Sequence, residues 1–340
     1  MSKKKVLVIG ANSFSGSHLV AEALRDGHQV WGVSRSKQID KVHLPYLWKN
    51  NDGKTPLATE ENFHFKSIDL NKELNQLIYL IKDVQPEIVI NFAAQGMVAE
   101  SWLNPTHWYQ TNLVSQVALH DALRKEKCVE KYVHVTTPEV YGSTNGEWIK
   151  ENDHFSPSTP YAVSRASCDM HLKSYFKAYN FPVVFTRAAN VYGPGQQLYR
   201  IIPRTILSAL TGKKMNLHGG GHSVRGFIHI HDAMRATLKL ALKASPGSTW
   251  HLSTKDSLSI RELVGKICKL TGTEFQSIVN IGTERLGKDQ SYLLDSSAIR
   301  NVHGWSDQIS LDTGLNETIE WVKSNLKHLE TMSWDYQHKP

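Results

Sequence analysis

The chain has 340 residues, 40% of them hydrophobic and 21% charged, with a formal net charge of +7. That is enough chain for a large core with a smaller second lobe, and its scattered Lys and Arg residues suit an anionic small ligand better than nucleic acid. Three cysteines, Cys128, Cys168 and Cys268, lie far apart without a CxxC pair, which argues against a disulfide framework and a zinc site.

In chain order, Val6 to Ile9 is an apolar run too short for a signal peptide, and "VLVIG" at 6–10 reads as a buried parallel strand. Ser15 to Arg25 has helical spacing and is stopped by Gly27; "QVWGV" at 29–33 is a second strand. The segment 36–62 reads as a polar loop excursion. "SIDL" at 67–70 predicts a third strand ending at Asp69. Apolar runs at 87–94, 131–137 and 182–190 alternate with helical stretches at 108–125 and 161–179. Strand, helix, strand, repeated, predicts an α/β fold, a doubly wound parallel sheet of Rossmann type. Beyond about residue 190 the Gly-rich loops "VYGPGQQ" and "HGGGHSVRG" flank an amphipathic helix over 201–211, which predicts a smaller C-terminal lobe over the carboxyl edge of the sheet. No segment approaches the ~20 apolar residues of a membrane span, so the expected compartment is the cytoplasm, with no membrane partner.

The chemistry begins at Gly10-Ala-Asn12-Ser13-Phe14-Ser-Gly16, which follows a strand and opens a helix. Bare backbone and a helix N-terminus aimed at an anion make a pyrophosphate cradle, so Gly10, Asn12, Ser13, Phe14 and Gly16 are candidate cofactor contacts. Ser13 replaces the middle glycine of GxxGxxG, and its hydroxyl is placed to donate to the pyrophosphate. An acid at the end of the second strand would bind a ribose 2′-hydroxyl. This chain has Ser34-Arg35-Ser36-Lys37 there, which favours NADP over NAD. Asp69, followed by Leu70, is placed to accept from the adenine amino group, and Ala93 in "NFAAQ" borders the same site. Tyr161 and Arg165 are four apart on one helix face. A phenol acting as a base near neutrality needs roughly 3 units of pKa depression, about 4 kcal/mol; one charge some 5 Å away supplies on the order of 3 kcal/mol at an effective dielectric near 20.

With this pair the chain resembles an extended short-chain dehydrogenase/reductase, and among those the nucleotide-sugar 4,6-dehydratases, over roughly residues 5–325. The carriers are the Gly10 to Gly16 loop, "NFAAQ" at 91–95, "TNLVSQ" with Asn112, "TTPEVYG" at 136–142, "SPSTPYAVSRASCD" at 156–169, "RAANVYGPGQ" at 187–196 and "VRGFIHIHDA" at 224–233. The resemblance implies a dinucleotide-binding domain over 1–187, to which 226–253 returns, and a sugar-nucleotide lobe from 188–225 and 254–330. It implies Tyr161 as the base at the sugar 4-hydroxyl, Thr137 as a hydrogen-bond partner of O4, and Glu139 as the base at C5. Tyr161 and Arg165 would also touch the cofactor, while Gln95, Asn190 and Arg225 would contact the substrate. It further implies a homodimer through the helices at 108–125 and 161–179. Two positions depart from the family: Arg165 stands where it uses Lys, and Pro138 stands where the dTDP-glucose branch has an acid. Pro138, "AAQ" at 93–95 and Arg35 resemble the GDP-mannose branch, and 190–203 the dTDP branch, so the nucleotide stays open. A 4-epimerase or decarboxylase of the same family, and a non-catalytic sugar-nucleotide binder, are the alternatives. His218, His222, His229 and His231 have no metal-ligand spacing, and no metal is expected.

Overall fold

The computed structural model describes residues 3–49, 55–284, 286–287 and 289–339. The first half alternates as the sequence predicts: β1 (Lys5–Ile9), α1 (Phe14–Arg25), β2 (Gln29–Ser34), β3 (Phe63–Ser67), α2 (Leu74–Val84), β4 (Ile88–Asn91), α3 (Val98–Ser101), α4 (Pro105–Tyr109), α5 (Ser115–Leu123), β5 (Lys131–Thr136), α6 (Pro160–Tyr179) and β6 (Val183–Ala188). Then follow β7 (Asn190–Tyr192), α7 (Ile201–Thr211), β8 (Met215–His218), β9 (Val224–Arg225), β10 (Phe227–His229), α8 (Ile230–Lys243) and β11 (Thr249–Leu252). The chain ends with β12 (Leu258–Ser259), α9 (Ile260–Thr271), α10 (Phe275–Ile278), β13 (Val279–Gly282), β14 (Ser291–Tyr292), α11 (Ser297–His303) and α12 (Leu311–Leu329).

Seven strands form the main sheet in the order β11-β6-β5-β4-β1-β2-β3, all parallel. The order reverses between β1 and β4, the switch point at which a doubly wound sheet opens a crevice at its carboxyl edge. Alternation of side chains explains why both faces are covered. Val6, Val8, Ile88 and Ile90 face α1 and α8 through Leu19, Val20, Met234 and Leu238. Leu7, Ile9, Val89 and Phe185 face α2, α5 and α6 through Leu77, Ile81, Leu119 and Leu172. A second core joins α7, α9 and α12 through Ile206, Leu207, Leu263, Ile267, Leu315 and Ile319. None of the described helices is long and apolar enough to cross a membrane.

Three expectations need correction. The third strand is Phe63–Ser67, not 67–70: Val30 to Ser34 pair with Phe63 to Ser67, and beyond it Asp69 turns the chain by accepting from Asn71 N at 2.9 Å. The predicted polar loop at 36–62 is packed in part, at Val42–Tyr46 and Leu57. Leu44 and Tyr46 are fully buried, and the Tyr46 ring lies 4.6 Å from that of Phe63; residues 50–54 of that segment lie outside the described residues. The helix expected over 108–125 is interrupted by a π-helical turn at Gln110–Val114. The wider turn carries the buried Asn112 inward, where its amide reaches Gln95 O at 3.0 Å and Ser164 Oγ at 3.0 Å.

Candidate functional site

The glycine loop is locked by close approach. Gly10 has φ +91°, and a Cβ there would stand 2.9 Å from Ala93 N; one on Gly16 would stand 2.2 Å from Gly10 O. Ser13 caps α1, its hydroxyl accepting from Gly16 N at 3.0 Å and donating to Gly10 O at 2.7 Å. Its proton is thus directed into the loop, not outward to a pyrophosphate as the sequence suggested. Bare loop backbone at a capped helix N-terminus, set at the switch point, fits a dinucleotide pyrophosphate. Asn12 is tied back by its amide to Lys37 O at 2.9 Å and Ser36 O at 3.1 Å, which braces the end of β2.

A cleft of about 750 Å³ runs from this loop across the carboxyl edge. Of the residues singled out in the sequence, Ser13, Phe14, Arg35, Gln95, Thr137, Glu139, Tyr161, Arg165, Asn190 and Arg225 line it together. Gly10, Asn12, Gly16, Asp69, Leu70 and Ala93 do not line it.

At the end of β5, Thr137 caps the short turn Pro138–Tyr141, its hydroxyl accepting from Glu139 N at 3.3 Å. Proline suits the first position of that turn, since its ring pre-sets φ. Tyr161 sits in the first turn of α6, capped by Thr159, which accepts from Ala162 N at 3.1 Å. Its phenol shares the lining of the cleft with Thr137. Burial pushes that phenol up and the Glu139 charge adds to this, while Arg165, Thr137 and Arg200 act in the opposite sense. The net direction is upward, because desolvation outweighs the opposing pull of Arg165. Glu139 is pushed up to about 7 by burial, with Arg225 opposing and Asp289 reinforcing the rise.

Arg165 is held by the sheet. Its Nη2 donates to Val135 O and lies 3.4 Å from His134 Nε2. One turn further along α6, Asp169 is buried; its Oδ2 accepts from Arg187 Nη2 at 2.8 Å, and its Oδ1 lies 3.3 Å from His134 Nε2. Arg187 continues through Tyr141, whose hydroxyl meets His251 Nε2 at 2.8 Å. Burial would raise the Asp169 carboxyl, but Arg187 and His134 hold it at about 2. His120, His134 and Cys168 lie near one another beside this network. Burial lowers both histidines and raises the thiol, and the Arg165 charge acts on all three, a field that disfavours a cation.

Several residues of the cleft and of the buried network beside it were missed in the sequence. Arg187 carried a signal, a charge within the apolar run "PVVFTRAAN". Asp289 and Tyr292 carried none, because they reach the cleft only through pairing of Tyr292 with Arg225 between β14 and β9. Nor did the C-terminal tail, whose Lys339 O accepts from Arg35 Nη1 at 2.9 Å and Gln95 Nε2 at 2.6 Å.

The sequence profile of the GDP-mannose 4,6 dehydratase family matches residues 7–318. A dTDP-D-glucose 4,6-dehydratase of Mus musculus is 29% identical over 328 residues, 95% of this chain and 89% of that protein. A trifunctional UDP-glucose 4,6-dehydratase, 3,5-epimerase and reductase of Arabidopsis thaliana is 29% identical over 95% of this chain, which spans about half, 47%, of that protein's length. Among solved structures, the dTDP-glucose 4,6-dehydratase DesIV of Streptomyces venezuelae, with NAD bound, superposes with TM-score 0.85 at 27% identity, covering 95% of this chain and 98% of that one. That relative holds NAD, so the preference for NADP drawn from Arg35 finds no support in it.

Proposed function

The chain belongs to the GDP-mannose 4,6 dehydratase family, and we propose that it removes water from a nucleotide-activated hexose to give the 4-keto-6-deoxy sugar. The observation that carries this is the meeting of Thr137, Glu139 and Tyr161 in one cleft with the glycine loop. Thr137 and Tyr161 hold the sugar 4-hydroxyl, and Tyr161 takes its proton. Held by the glycine loop, an oxidised nicotinamide would supply the hydride acceptor for C4 and, once reduced, the donor for C6. The ketone acidifies C5, where Glu139 removes the proton; with its carboxyl near 7, it takes and releases a proton at neutral pH. Arg225 and Asn190 are assigned to the nucleotide diphosphate and Gln95 to the sugar side. An epimerase needs no base at C5, so Glu139 favours elimination.

The cofactor is NAD(P), and we favour NAD: the solved relative carries it, and Arg35 Nη1 already donates to Lys339 O. Titration of nicotinamide fluorescence with both forms should show tighter NAD binding, changed only a few-fold by Arg35→Asp. A homodimer through the segments that hold α4, α5 and α6 is supported by the exposed apolar side chains Leu103, Val114, Met170 and Tyr179, and sedimentation tests it. The nucleotide is read by incubation with dTDP, UDP, GDP and CDP hexoses, following mass. Loss of one water is expected for one nucleotide class. C4 inversion without mass change would instead make the protein an epimerase, and inertness across the panel would leave only binding.

A further inference from the structure

Elimination at C6 expels a hydroxyl, a poor leaving group unless protonated, and Pro138 beside Glu139 has no proton to give. Across the cleft stands a pair of groups that can. The Tyr292 hydroxyl donates to Asp289 Oδ2 at 2.5 Å, and both groups act on the charge of the Glu139 carboxyl. All three residues line the cleft beside Tyr161.

The placement is built. Tyr292 is 9% exposed and opposite Arg225 in the β14–β9 pairing. The Arg225 guanidinium lies 4.2 Å from its ring centre and grips the backbone at Asp289 O, 2.8 Å, and Gln290 O, 3.2 Å. Ser158 Oγ donates to the same Asp289 oxygen at 2.7 Å. The phenol therefore has one direction for its proton, toward Asp289, and its oxygen is left to accept from Glu139.

Resting on the dehydratase reading, we infer that Glu139, Tyr292 and Asp289 form a proton relay that carries the C5 proton to the departing 6-hydroxyl, doing what Pro138 cannot. The C5–H bond breaks, its proton passes to Glu139, and its electron pair enters the enolate of the 4-ketone. Glu139 then gives that proton to the Tyr292 oxygen while the Tyr292 proton moves to Asp289. Asp289 protonates O6; the C6–O bond breaks as the enolate pair forms C5=C6, and water leaves. All three groups return to their starting protonation states, and no outside acid is consumed. Burial, and after it the charges of Glu139 and Asp289, strongly oppose the ionisation of Tyr292, so its two proton movements occur together, without a free phenolate.

The test separates oxidation from elimination. Tyr292→Phe keeps the ring under Arg225, and Asp289→Asn keeps the shape of the loop. With the sugar nucleotide the wild type uses, both variants should still reduce the bound nicotinamide in a single turnover. Water loss followed by mass should fall by about a hundredfold, within the usual range for loss of a general acid, and quenched samples should contain the 4-ketone with O6 retained. Adding Pro138→Asp to Tyr292→Phe should restore water loss at least about tenfold, by placing an acid beside Glu139. Water loss at the wild-type rate in Tyr292→Phe overturns the relay. So does an equal loss of nicotinamide reduction, which would make Tyr292 a binding residue, or no recovery with Pro138→Asp. If the wild type itself dehydrates no sugar nucleotide, it is the underlying reading that has failed.

Discussion

Glu139 is a carboxyl that folding makes reluctant to ionise, since burial and the nearby Asp289 charge outweigh the attraction of Arg225 and Arg200. Raised from 4.5 to about 7, it costs up to about 3 kcal/mol of stability once ionised. The sign is fixed: the folded state holds this proton more tightly than the unfolded chain, so the cost is absent below the ordinary pKa, grows as pH rises and is complete above about 7. Glu139→Gln, which mimics the protonated carboxyl, should therefore melt higher than wild type at pH 8 and equally at pH 4. The same variant should reduce the bound nicotinamide when given sugar nucleotide yet release no dehydrated product. In the wild type, the rate of water loss should rise with pH and inflect near 7, and Arg225→Gln should move the inflection upward because an opposing positive charge is gone. At Arg165, burial and Glu139 outweigh the downward pull of the guanidinium on Tyr161. Arg165→Met removes the fixed charge, so the alkaline rise of the first hydride transfer should move to higher pH in single-turnover absorbance. An unmoved rise would make Arg165 a packing residue.

Helix α6 shows how one element carries both chemistry and its support. Tyr161, Arg165 and Asp169 recur every four residues and so share a face. The first lines the cleft, the second bonds the backbone of β5, and the third pairs with Arg187 of β6. Asp169 and Arg187 are both fully buried. Removing one partner of such a pair leaves an uncompensated charge, so Asp169→Asn should cost about 3–5 kcal/mol in urea unfolding. Its carboxyl is held at about 2, and the pair should therefore stay intact down to pH 4. The first half of this arrangement was legible in the sequence because its signals are local: apolar runs for strands, the glycine loop, a Tyr and a cation at helical spacing. Asp169 was invisible as a functional residue because its partner comes from another strand. The segment 36–62 looked like solvated loop because its polar composition hides the few side chains, Leu44 and Tyr46 among them, that pack against the sheet layer. Asp289 and Tyr292 enter the cleft only through a two-residue strand whose pairing no local pattern announces.

At the scale of the whole molecule, the C-terminal tail closes a path between the two sides of the cleft. Trp334 is anchored in the second core, with Arg204 Nη1 donating to its carbonyl at 2.8 Å and Lys213 4.5 Å from its ring. Beyond it the chain leaves that lobe. Tyr336 packs edge-on against Tyr199 at 5.3 Å, and His338 stacks on Trp108 at 5.0 Å and bonds His107 at 2.8 Å. Lys339 O then reaches Arg35 and Gln95, residues that line the cleft. This strap touches the cleft edge at the end of β2, where a dinucleotide passing that edge would meet it. Its few polar contacts are worth about 1 kcal/mol each and the stacked rings a similar amount, and every 1.4 kcal/mol is a factor of ten in rate. Ending the chain after Asp335 keeps the Trp334 anchor, so the melting temperature should be nearly unchanged. Association and dissociation of the nicotinamide dinucleotide, followed by stopped-flow fluorescence, should both accelerate by on the order of tenfold or more. A gate raises the barrier in both directions, whereas a tail that merely stabilised bound cofactor would change dissociation alone. If truncation leaves both rates where they were, the contacts to Arg35 and Gln95 do not limit passage.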